Sequence, residues 1–153
     1  MRYAAPTTPQ PLAGSVSLTA ADQLDPGEYV LLVMDDPFLR ARVRAQIHEL
    51  GLVVQESITV RRAIARVACS APSLVVLDLW VEHGEGILFL EALRTADSQL
   101  MVPVLLLGDD PRSAVQVRAL TLGAVGPVPM VESSAIAPWI ERTLERNEPE
   151  PSI

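Results

Sequence analysis

The sequence predicts an α/β domain, a doubly wound parallel sheet of five βα units, and three observations carry that reading. Short apolar runs without polar alternation recur at residues 29–34, 74–77 and 103–107. Strands of that composition are covered on both faces, as in a parallel sheet between helix layers. Segments with helical spacing of apolar residues separate these runs. Finally, two of the runs end in carboxylates, Asp35-Asp36 and Asp78, at the strand ends where open α/β sheets gather their chemistry.

The 153 residues support one domain with a core of its own. No apolar run approaches the roughly 18–20 residues that span a bilayer, and the amino-terminal residues Met1 to Pro6 lack an apolar h-region, so neither a membrane segment nor a signal peptide is expected. One cysteine, Cys69, excludes an internal disulfide framework and fits a cytoplasmic protein. It reads as a buried or half-buried filler near a helix end. A net charge of −7 argues against direct nucleic-acid binding, which depends on phosphate contacts. All 12 basic residues are arginine. Any chemistry that requires a lysine of this chain is excluded.

Residues 1–27 carry Pro6, Pro9, Pro11 and Pro26 among Ala, Thr, Ser and Gly, and read as a flexible leader. The first strand, residues 29–34, is followed by a helix with Asp36 as N-cap and Pro37 in its first turn. Phe38, Val43, Ile47 and Leu50 share its spacing, Gly51 stops it, and Arg40, Arg42 and Arg44 line its solvent side. Residues 52–54 form a short second strand. Thr59 opens helix two, with Ala63, Ile64 and Val67 as its apolar stripe and Arg61, Arg62 and Arg66 outward.

The third strand, residues 74–78, leads into a loop from Leu79 to Gly86, and helix three carries Ile87, Leu88, Leu90 and Leu93. Residues 103–107 form strand four, closed by Gly108-Asp109-Asp110-Pro111. Helix four covers about residues 111–122 and stops at Gly123. A weak fifth strand lies within residues 124–129. The last helix, about residues 134–147, turns Ile136, Ile140 and Leu144 inward, and the Pro-containing tail 148–153 cannot continue it. One domain over residues 28–147 results. Right-handed crossovers and a flavodoxin-like order of 2-1-3-4-5 then bring strands one and three together, so that Asp35, Asp36 and Asp78 converge. No G-x-G-x-x-G follows strand one, which argues against a dinucleotide site.

With these residues in place, the chain resembles the receiver domains of two-component response regulators over about residues 28–147. The resemblance rests on Asp35-Asp36, Asp78, Glu85-Gly86, Pro103 and Gly123-Ala124. It implies that the acids bind Mg²⁺, an ion that takes oxygen ligands in octahedral geometry. Asp36, Asp78 and the Trp80 backbone carbonyl would be direct ligands, and Asp35 a ligand through water. It further implies that Asp78 accepts a phosphoryl group from a histidine kinase.

The sequence departs from the family at its switch positions. The Ser or Thr expected after strand four is Gly108, and the lysine expected after strand five is replaced by Met130 or a neighbour. Pro127 stands where an aromatic is usual, and Glu82 replaces a proline in the loop after Asp78. Losing the lysine removes a charge-assisted contact of about 1.5–3 kcal/mol. Three carboxylates without that lysine demand either a cation or a raised carboxyl pKa. Strand five supplies no arginine, which leaves Arg112 of helix four as the distant candidate. Pro127 also removes a ladder donor, so strand five is expected to be irregular.

These departures favour an atypical single-domain receiver that signals through protein contacts, with phosphorylation control weakened or lost. No catalytic residue is assigned. With no output domain read after residue 147, the signal is expected to leave through a protein partner, a histidine kinase or an effector, on the face of helix four, strand five and helix five. A homodimer is a further option. The competing readings are a working Mg²⁺-dependent phosphoacceptor at Asp78 and a receiver-like small-molecule sensor opened by Gly108 and Met130. Trp80 is expected to pack on a neighbouring loop, His83 to face solvent, and Trp139 to pack at the start of helix five.

Overall fold

In a computed structural model of the chain, the structure describes residues 28–96, 102–108, 112–128 and 136–146. The leader 1–27, the tail 148–153, Met130 and the ends expected at Pro111, Ser134 and Asn147 lie outside the described residues. Five strands, β1 (Val30–Val33), β2 (Val54–Ser57), β3 (Leu74–Asp78), β4 (Val104–Leu107) and β5 (Val125–Val128), pair in parallel in the order β2-β1-β3-β4-β5. The helices are α1 (Pro37–Glu49), α2 (Val60–Cys69), α3 (Gly86–Ala96), α4 (Ser113–Thr121) and α5 (Ile136–Arg146).

The apolar strands divide their side chains between two cores, as alternation along a strand requires. Leu31, Val33, Val75, Leu77 and Leu106 meet Ala63 of α2, Phe89 of α3 and Ala119 of α4 on one face. Val30, Leu32, Leu74, Val76 and Leu105 meet α1 and α5 on the other, against Val43, Ile47, Ile140 and Leu144. The central strands β1, β3 and β4 are thus buried on both sides, which is why they carry almost no polar residue.

Helix entries and exits follow local chemistry. Asp36 Oδ1 accepts from the N–H groups of Phe38 and Leu39 at 2.9 and 3.2 Å, and Pro37 follows at the first helical position. Thr59 caps α2 through the Arg62 N–H at 3.1 Å. Gly51, at φ +82°, ends α1 with its N–H on the His48 carbonyl.

Several expectations need correction. The second strand is Val54–Ser57 rather than residues 52–54, because β1 fixes its register through Val30↔Val54 and Val33↔Ser57. Leu52 instead closes the turn onto Ile47 and buries there. As a sheet edge, β2 tolerates the polar pair Gln55-Glu56, which hid it from an apolar pattern. In α2 the inward stripe is Val60, Ala63 and the half-buried Val67, while Ile64 is 41% exposed. In α3, Leu88 is 52% exposed and Phe89 fills the core. Phe38 is 82% exposed, outside the α1 stripe of Leu39, Val43 and Ile47. Cys69 is exposed, not a filler. Arg40 and Arg44 do not simply face water: they clamp Glu56 of β2 at 2.9 and 2.8 Å.

Strand β5 is irregular, in line with Pro127. Leu105 pairs with Val125 but Leu107 pairs with Val128, so one extra residue of β5 bulges between them. Gly126 and Pro127 form the bulge, joined by a cis peptide, with Gly126 at φ +119°. A Cβ on Gly126 would come within 2.9 Å of the Leu106 carbonyl. Only glycine allows that approach.

Candidate functional site: the carboxyl ends of β1 and β3

Strands β1 and β3 are neighbours in register, Val33 beside Leu77. Asp35 and Asp36 follow the end of β1, and Asp78 is the last residue of β3. The topological switch point therefore brings the three expected acids to one edge of the sheet. Asp35 and Asp36 are exposed, and Asp78 is half-buried.

Each acid gives an oxygen to a backbone N–H. Asp36 Oδ1 caps α1, as above. Asp35 Oδ2 accepts from the Glu82 N–H at 2.9 Å, and Asp78 Oδ1 from the Trp80 N–H at 2.9 Å. The Trp80 carbonyl accepts from the Gly84 N–H at 3.2 Å.

Mg²⁺ binding would need several of these oxygens turned toward one point. Among the described residues, no group of three or more His, Cys, Asp or Glu side chains is placed to hold a metal ion. In this arrangement one oxygen of each acid, Asp36 Oδ1, Asp35 Oδ2 and Asp78 Oδ1, is held by a backbone N–H, so an ion there would draw on the carboxylates' other oxygens.

The loop after β3 holds what the sequence reading missed. Residues Val81–Gly84 form a single turn in which Glu82 and His83 have φ of +52° and +62°. A backbone there is unfavourable for side-chain-bearing residues and persists only where neighbours hold it. Glu82 supplies such ties twice. Its N–H reaches Asp35, and its Oε1 accepts from the Val60 N–H at 2.6 Å, at the first residue of α2. The signal for this role was the replacement of the usual proline by an acid, but its target lies 22 residues earlier in the chain. His83 is exposed, as expected. Gly86, at the start of α3, is buried against Asp78 and Leu79.

Trp80 is 48% exposed, and the Arg112 guanidinium lies 4.8 Å from its ring centroid. Arg112 Nη2 also donates to the Gly84 carbonyl at 3.3 Å. Arg112, raised as a distant substitute for the lysine, thus engages the loop beyond Asp78. Trp139 packs half-buried on the α1–α5 core, with Arg142 over its ring at 5.3 Å. Gly108, at the end of β4, is buried at φ +76°, and its N–H meets the Val128 carbonyl at 2.7 Å. It offers no hydroxyl. Among the described residues, no helix is long and apolar enough to cross a membrane.

Comparison with known proteins agrees with this architecture. The model of the response regulator receiver domain matches residues 30–129. The chain is 33% identical to the KDP operon transcriptional regulatory protein KdpE of Escherichia coli over 95 residues, 62% of this chain and 41% of that protein. It is 29% identical to the acid tolerance regulatory protein ActR of Sinorhizobium medicae over 146 residues, 94% of this chain and 72% of that protein. The chain thus spans less than half the length of the first of these relatives. The crystal structure of the receiver domain of NtrX from Brucella abortus superposes with a TM-score of 0.61 at 24% identity, covering 76% of this chain and 98% of that one. A parallel 2-1-3-4-5 sheet, acids at the β1 and β3 ends and a family match across all five strands agree: the chain belongs to the response regulator receiver domain family of two-component signalling.

Proposed function

We propose that this chain is an atypical receiver that signals through protein contacts, with phosphorylation control at Asp78 weakened or lost. The observation that supports it most is the use of the acids. Asp36 caps α1, Asp35 holds the loop after β3, and Asp78 holds the Trp80 N–H. The absence of any lysine and the glycine at position 108 point the same way, since neither a cation nor a hydroxyl follows β4 or β5 from those positions. The proposed partner is a cytoplasmic signalling protein, a histidine kinase or an effector, and the face formed by α4, β5 and α5 is the proposed contact. Val117 and Leu120 are exposed on α4. A homodimer through that face is an alternative use of it.

A second reading keeps Asp78 as a phosphoacceptor, with Mg²⁺ held by Asp35, Asp36, Asp78 and the Trp80 carbonyl. The half-buried Asp78 beside the β1 end favours it. Incubation with acetyl phosphate and Mg²⁺, followed by intact-mass measurement, separates the two. The primary reading predicts little or no adduct. A stoichiometric adduct that disappears in Asp78→Asn would establish the second reading instead.

A further inference from the structure

The loop that follows Asp78 is tied to three separate elements. Its Glu82 N–H bonds Asp35 after β1, its Glu82 carboxylate takes the first N–H of α2, and its Trp80 ring and Gly84 carbonyl are both engaged by Arg112. Arg112 is the residue immediately before α4, and its own carbonyl accepts from the Val115 and Gln116 N–H groups of that helix's first turn. One residue therefore reaches the β3 loop with its side chain and starts α4 with its backbone. Gly84 is shaped to it: a Cβ there would lie 2.8 Å from both guanidinium nitrogens, and the residue sits at φ +107°. A guanidinium over an indole adds an attraction that a hydrogen bond alone would not.

We infer that Arg112 is a standing latch between the β3 loop and the first turn of α4, coupling the two without any phosphoryl group at Asp78. In a chain with Gly108 after β4 and no lysine, this contact gives the loop a direct route to the α4 surface. A partner that moves the Trp80 loop would then shift α4, and a partner on α4 would shift the loop. The inference does not depend on whether Asp78 is phosphorylated.

Native-state hydrogen exchange on the full chain tests it. Arg112→Gln is expected to raise exchange on the order of five- to tenfold both at the Gly84 to Gly86 amides and at Val115 and Gln116. Trp80→Leu, which leaves Arg112 in place, is expected to loosen the same two segments. Arg112→Lys, a cation without the planar fork, is expected to fall between. Asp78→Asn is expected to leave the α4 first turn unchanged. Loosening of only one segment in Arg112→Gln, or no change in either, would overturn the latch. So would a Trp80→Leu protein whose α4 amides exchange as in the parent.

Discussion

Replacing Gly86 by alanine tests how closely α3 approaches the end of β3. The added Cβ would lie 2.7 Å from Leu79 Cα, 2.8 Å from the Asp78 carbonyl oxygen and 2.9 Å from the Leu79 carbonyl oxygen. All three neighbours are backbone, so no side-chain rotation relieves the contact. Either α3 withdraws or the strand end bends, and both disturb packing around Phe89 and Leu77 in the same core. Overpacking of this kind costs about 1–3 kcal/mol. The advantage of alanine over glycine, about 0.5–1 kcal/mol, belongs to the middle of a helix, and Gly86 is the first residue of α3, so little of it is returned. The net expectation is a loss of about 1–3 kcal/mol, read as a lower urea midpoint at unchanged slope in equilibrium unfolding followed by circular dichroism. A variant as stable as the parent, or more so, would refute the close approach and the reading of Gly86 as a spacer beside Asp78.

Arg94 donates to the Leu122 carbonyl through Nε and to the Val102 carbonyl through Nη1, each at 2.7 Å, so Arg94→Met should cost about 2–3 kcal/mol in the same urea assay. Asp36→Ala removes the α1 cap and should cost about 1 kcal/mol, with faster exchange confined to the Phe38 and Leu39 amides and the first turn. Glu56→Gln should cost less than about 1 kcal/mol, and the difference should fade in high salt, because its two arginine contacts are partly exposed. Burial is the chief cause that pushes the Tyr29 phenol above its ordinary 10.0, with Arg66 acting against it and Cys69 with it. The neutral hydroxyl donates to the Ser70 carbonyl. Its contribution is therefore complete below pH 10 and is lost as pH rises through the raised value. Urea midpoints measured across that range should fall with pH, and Tyr29→Phe should flatten the fall.

The fold was legible because its strongest signals are local. The apolar runs of β1, β3 and β4 could be buried only on both faces, and Asp36-Pro37, Thr59 and Gly51 marked helix ends by their own chemistry. Errors fell where tertiary context overrides such signals. The β2 edge is half polar, so its register comes from β1 and not from its composition. Ile64 and Leu88 fit a helical stripe yet face water, because spacing fixes a face only to within one residue. At the site, the sequence placed the acids at the right strand ends but not what their oxygens accept. Those partners are backbone groups of residues up to 47 positions away, as Asp35 and Glu82 illustrate. Arg40 and Arg44 gave no sign of Glu56 for the same reason: their ion pairs form between elements.

We propose, as the centre of this reading, that the acids of the β1–β3 edge serve the backbone in place of a metal ion. The most direct measurement is a Mg²⁺ titration followed by amide NMR at Phe38, Leu39, Trp80 and Glu82, the four N–H groups that donate to Asp36, Asp78 and Asp35. The account predicts that these four resonances stay in place through millimolar Mg²⁺. Saturable shifts at all three carboxylates' partners, abolished by Asp78→Asn, would show that the acids turn together onto the ion and would contradict it.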